Sequence, residues 1–104
     1  MTAQTADPLH AERVAIVVLT WNQRELTLDC LASLQQQNYP NLEIIVVDNG
    51  SSDGTPDAVQ ADYPEAMMIE NGENLGFVGG NNAGLRHALR GDAAYIMLLN
   101  NDTA

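Results

Sequence analysis

Lysine is absent from this chain, and cysteine, tryptophan and phenylalanine occur once each. Without lysine there is no Walker A loop, whose grip on phosphate depends on that side chain. Four arginines stand against fourteen acidic residues, a net charge of -10. That balance repels phosphate backbones and anionic lipid surfaces, so neither nucleic acid nor a membrane surface is expected as a partner. An anionic ligand is compatible with the chain where helix N-termini or a divalent cation neutralise it locally. The lone Cys30 excludes an internal disulfide and a cysteine-rich metal site, which fits a reducing compartment. No apolar run approaches the roughly 18 residues of a membrane span, and the N-terminus lacks a basic start followed by an apolar core. A soluble, cytoplasmic protein is expected. Its 104 residues allow one domain with a real core, but are few for a complete doubly wound enzyme.

Residues 1–12 are polar and aperiodic and read as a loose tail; the domain occupies residues 13–104. Val14-Ala15-Ile16-Val17-Val18-Leu19 reads as a buried strand, followed by Thr20-Trp21-Asn22 and a helix over residues 23–37, with Asn22 and Glu25 as its capping box. Thr27, Cys30, Leu31 and Leu34 fall on one stripe of that helix, so Cys30 is expected in the core. The β-branched run Ile44-Ile45-Val46-Val47 is a second buried strand. Thr55-Pro56 reads as an N-cap with proline at the first helical position, opening a short helix to about residue 63. Ala66-Met67-Met68-Ile69 is a third strand, residues 78–90 a third helix stopped at Gly91, and residues 95–99 a fourth strand. The order βαβαβαβ with short connections demands a mainly parallel sheet with right-handed crossovers, hence an α/β fold.

Ligands of such sheets sit at the carboxyl ends of the strands. Two strands here run straight into acidic turns: Asp48-Asn49-Gly50-Ser51-Ser52-Asp53-Gly54-Thr55 after the second and Asn100-Asn101-Asp102 after the fourth. A dinucleotide fingerprint needs glycines directly after the first strand, where this chain has Thr20-Trp21-Asn22-Gln23. The serines at 51 and 52 have no histidine near them in sequence, and His10 and His87 read as surface residues. Asp48 and Asp53 have a structural reading as turn formers, and the glycines at 76–84 as close helix-to-sheet packing.

Four segments together resemble the nucleotide-diphospho-sugar glycosyltransferases of the GT-A fold, specifically family 2, the inverting kind that includes bacterial rhamnosyltransferases. They are Val17-Val18-Leu19-Thr20-Trp21-Asn22, Val46-Val47 with the acidic turn that follows, Asn74-Leu75-Gly76-Phe77-Val78-Gly79-Gly80-Asn81-Asn82-Ala83-Gly84, and Leu98-Leu99-Asn100-Asn101-Asp102-Thr103. The resemblance implies a partial Rossmann-like sheet of order 3-2-1-4 that binds a nucleoside-diphosphate sugar. It implies that Thr20 and Asn22 lie beside the nucleotide, that Asp48 accepts a hydrogen bond from the ring N–H of a UDP or dTDP base, and that Asp53 frames the pocket. Asn49, Ser52, Gly76, Gly80, Asn81, Asn100 and Asn101 complete the implied donor site, and Asp102 holds Mg²⁺ or Mn²⁺ bridging the diphosphate. Where many relatives carry aspartate at the start of the metal motif this chain has Asn100. The family's catalytic base, which acts on the hydroxyl of a glycan or lipid-linked acceptor, is expected in a later half that this sequence does not include. The fourth strand would then be an apolar edge, a route to self-association. Rival readings are a non-catalytic nucleotide-sugar module, an inactive fragment, and a sugar nucleotidyltransferase. The last of these is disfavoured because the first loop offers Arg24 as its sole cation.

Overall fold

A computed structural model describes residues 12–37 and 39–100, without the side chain of Asn100. Four strands and three helices alternate: β1 (Val14–Thr20), α1 (Arg24–Gln35), β2 (Leu42–Asp48), α2 (Thr55–Asp62), β3 (Met67–Glu70), α3 (Gly76–Arg90) and β4 (Tyr95–Asn100). All pairings are parallel, in the order β3-β2-β1-β4. The expected order 3-2-1-4 is thus observed. Its register sets Thr20 opposite Asp48 and Asp48 opposite Glu70, so the β1, β2 and β3 ends form one continuous edge.

Alternation along the two central strands divides the core in two. Ala15, Val17, Leu19, Ile45 and Val47 face α3 and Ala88, while Ile16, Val18 and Val46 face Leu31 of α1 and Val59 of α2. Both faces are covered, which is why β1 and β2 read as unbroken apolar runs and not as alternating ones. Each fully buried Val or Leu contributes roughly 1.5–3 kcal/mol of transfer free energy, and the central strands supply most of them. Cys30 is half-buried against the α1/α2 cluster, and that burial pushes its thiol pKa up.

The third helix lies unusually close to the sheet, and two glycines permit it. A Cβ on Gly84 would collide with a Val17 methyl and come within 2.9 Å of Val47 Cγ2; one on Gly80 would meet Leu19 Cδ1 at 2.5 Å and Asn49 Nδ2 at 2.8 Å. The packing reading of these glycines therefore holds at 80 and 84.

Two local expectations are corrected. The capping box of Asn22 and Glu25 does not form. Asn22 adopts a left-handed φ of 50°, Gln23 becomes the N-cap residue of α1, and no side chain of its own caps the helix. Likewise Gly54, with φ 84°, precedes α2 where Thr55 was expected, and Thr55 enters the helix as its first residue. In both places a residue with positive φ reverses the chain first, which shifts the helix start; the Asn22 side chain then bonds the loop after β2 and the Thr55 hydroxyl bonds Asp53 locally. Among the described residues the fourth strand pairs only with β1, and Tyr95, Met97 and Leu98 are exposed.

Candidate functional site

The β2 run ends in Asp48, which is 2% exposed. Its Oδ2 accepts the backbone N–H groups of Gly50 at 3.2 Å and Ser51 at 2.8 Å, and its carbonyl accepts Asn71 N–H at 2.9 Å. Turn chemistry thus accounts for one carboxylate oxygen. The other, Oδ1, is buried with no hydrogen-bond partner. A buried carboxylate oxygen without a donor is costly, about 1–3 kcal/mol or more for a charged group. The sequence places it where parallel sheets bind ligands.

Beside this turn, the β1–α1 and β2–α2 loops are stitched together. Asn22 donates its N–H to Ser51 Oγ at 2.8 Å, and its Oδ1 accepts Ser52 N–H at 2.7 Å. Asp53 Oδ2 accepts Arg24 N–H at 3.0 Å, while Oδ1 accepts Thr55 N–H at 3.1 Å and the Thr55 hydroxyl. Partial burial works to raise the Asp53 carboxyl pKa, but hydrogen bonds from the Thr55 hydroxyl and the Arg24 and Thr55 amides outweigh it and hold the group below the ordinary carboxylate value. A pocket of about 320 Å³ lies against this clamp, lined by Asn22, Gln23, Arg24, Glu25, Leu26 and Asp53.

Asn49 ties in the third loop. Its Nδ2 donates to Gly76 O at 3.0 Å and Asn74 Oδ1 at 3.4 Å; its Oδ1 accepts Asn71 Nδ2 at 2.9 Å and Leu75 N–H at 3.3 Å. Its own N–H goes to Thr20 O at 2.9 Å. The loop over residues 71–76 is therefore pinned to the strand ends, and Gly50 is required there, since its φ is 87° and a Cβ would sit 2.8 Å from the Glu73 backbone.

The residues singled out from the sequence occupy distinct places. Asp48, Asn49, Asn22, Ser52 and Asp53 converge on the β1 and β2 ends. Thr20 sits there too, fully buried, with its hydroxyl 2.7 Å from that of Thr27. Gly76 begins α3 with φ 78°, and its N–H is received by Asn74 Oδ1 at 2.8 Å. Gly80 lies under α3 against Leu19 and Asn49. Asn81, 4% exposed, carries the second buried acceptor without a partner, its Oδ1. Asn100 ends β4 beside Leu19, whereas Asn101 and Asp102 lie outside the described residues. Sequence reading weighed Ser51 as half of a serine pair and placed Thr27 on the sheet-facing stripe, but gave neither of them, nor Asn71, a part in this site. Thr27 carried a signal, as the hydroxyl on an otherwise apolar stripe.

The model of the family described as glycosyl transferase family 2 matches residues 15–104. The chain belongs to this family. A relative, the uncharacterized glycosyltransferase YfnE of Bacillus subtilis, is 38% identical over 84 residues, 77% of this chain and 21% of that protein. The N-acetylglucosaminyl-diphospho-decaprenol L-rhamnosyltransferase of Mycobacterium tuberculosis is 34% identical over 62 residues, 60% of this chain and 20% of the relative. Among solved structures, the mannosyltransferase PcManGT from Pyrobaculum calidifontis, in complex with GDP-Man and Mn²⁺, matches at TM-score 0.78 and 33% identity over 92% of this chain and 29% of that one. The family 2 chain described here thus spans between a fifth and a third of the length of these proteins. Its fold is the GT-A fold in part. No helix among the described residues is long and apolar enough to cross a membrane.

Proposed function

We propose that this chain is the donor-binding portion of an inverting glycosyltransferase, one that moves a sugar from a nucleoside-diphosphate sugar to an acceptor hydroxyl in polysaccharide or cell-envelope glycan synthesis. The observation that carries the reading is the buried, unpartnered Oδ1 of Asp48 at the carboxyl end of β2. An ionised carboxylate accepts hydrogen bonds only, and a ring N–H of a nucleotide base is the donor it lacks. Membership of family 2 and the GDP-Man bound to PcManGT support a nucleotide as that donor's source. Guanine, like uracil and thymine, offers a ring N–H, so the base is left open by this contact. Asn22 and Ser52 form the adjoining wall, and Thr20, bonded to Thr27, shapes it from below. The rhamnosyltransferase relative supports a lipid-linked acceptor. No residue of the chain is assigned as the base that deprotonates the acceptor.

A diphosphate needs positive charge, and the pocket has little. Arg24 is its one cation among the described residues, and it pairs with Glu25 at 3.3 Å. Those residues also contain no group of three or more His, Cys, Asp or Glu that could hold a metal. A single carboxylate completed by substrate phosphates suits a hard divalent cation, so Asp102 is the residue proposed to hold Mg²⁺ or Mn²⁺. Bound there, the ion would neutralise charge on the departing diphosphate. This chain's own part is to grip the nucleotide, with Asn100 and Asn101 as neutral hydrogen-bonding neighbours.

Calorimetric titration with UDP, dTDP and GDP, each with and without Mn²⁺, tests the proposal. Saturable, metal-dependent binding of one nucleotide is expected, weakened in Asp48→Ala by about 10- to 100-fold, the worth of a hydrogen bond to a charged group. Unchanged affinity in a folded Asp48→Ala, or no binding of any of the three, would overturn it.

A further inference from the structure

Neither α1 nor α2 is capped by its own N-cap side chain: Gln23 and Gly54 occupy those positions and make no such bond. Both helices are instead served by one carboxylate. Asp53 Oδ2 takes the N–H of Arg24, the first residue of α1, and Oδ1 takes the N–H and hydroxyl of Thr55, the first residue of α2. We propose that Asp53 is a positioning residue, a double cap that locks the β1–α1 loop to the β2–α2 loop and thereby holds the Asp48 turn in its binding geometry. This rests on the donor-site reading of Asp48.

Three features support the assignment. A carboxylate offers a separate oxygen to each helix, where an amide has one oxygen and a hydroxyl a short reach. Both partners are positive helix ends, so the bonds are charge-assisted on each side. And the turn whose amides at 50 and 51 fix Asp48 Oδ2 belongs to the same loop as Asp53, with Ser51 and Ser52 bonded directly to Asn22. Releasing Asp53 therefore removes the tie at both helix ends and leaves Asn22, through Ser51 and Ser52, as the remaining hydrogen-bonded link between the two loops. The resemblance-based role of Asp53, framing the pocket, is here given a cause: both of its oxygens are committed to protein donors, so it acts through its neighbours. Nearby charges are Arg24, paired with Glu25, and Asp57 in the first turn of α2.

The test compares the full chain with Asp53→Asn and Asp53→Ser, reading backbone amide resonances by NMR and affinity for the nucleoside diphosphate that binds best with Mn²⁺. In Asp53→Asn the amide protons of Arg24 and Thr55 should both move upfield, and affinity should fall about tenfold. Serine can cap α2 locally but not reach α1, so Asp53→Ser should displace the Arg24 amide and lose similar affinity. Displacement of the Thr55 amide alone, or wild-type affinity in Asp53→Ser, would overturn the double cap. A wild-type chain that binds no nucleotide, with the paired amide shifts still produced by Asp53→Asn, would instead sink the donor-site reading and leave the double cap standing.

Discussion

Replacing Gly84 with alanine sets two effects of opposite sign against each other. In an exposed helix interior the change would stabilise by about 1 kcal/mol, since alanine gives up less backbone freedom than glycine. Here the new methyl would collide with a Val17 methyl and lie 2.9 Å from Val47 Cγ2. Neither wall yields easily. Both valines are fully buried, β-branched and so stiff at χ1, and they come from adjacent strands held in parallel register. Restoring ordinary contact requires α3 to retreat by roughly 1 Å. Overpacking of this kind costs about 1–3 kcal/mol, and this site belongs at the upper end. The net expectation is a loss of about 2 kcal/mol, or roughly 10 °C in Tm for a domain of this size. Urea denaturation should show a lower midpoint at an unchanged slope. A Gly84→Ala chain as stable as the parent, or more so, would refute the close-approach argument and with it the account of how α3 meets Asn49.

Acid should act on Asp53 in a defined direction. Its carboxyl pKa lies below the ordinary 3.8 in the folded chain, so the stability it contributes is present above that value and lost as pH falls through the folded pKa. The stability difference between wild type and Asp53→Asn, from urea denaturation at a series of pH values, should therefore shrink on acidification; a difference that grows toward low pH contradicts the assignment. At the β4 edge, which among the described residues is unpaired on one side with Tyr95, Met97 and Leu98 exposed, we predict self-association of the chain that Leu98→Lys should reduce. Light scattering that finds the parent chain monomeric at high concentration would remove the reason for that substitution.

The sequence by itself determined the elements and their order. Strands β1 and β2 announce themselves because both of their faces are buried, and the helices because of their apolar stripes, although the N-terminal punctuation of α1 and α2 was misplaced by a residue. Thr27 and Leu31 do face the sheet, and α3 does end at Gly91. The chemistry at Asp48 was legible as an acidic turn ending a buried strand. Only the tertiary structure decided which polar groups of that turn are already used. Asp53 and Asn49, indistinguishable from ligand contacts in the sequence, spend their oxygens and amide protons on Arg24, Thr55, Gly76 and Leu75, whereas Asp48 keeps one oxygen unpartnered. The physical reason is range: periodicity and propensity report on neighbours within a turn or two, and apart from the local Asp53–Thr55 bond these bonds join residues more than twenty positions apart, brought together when a parallel sheet aligns its strand ends.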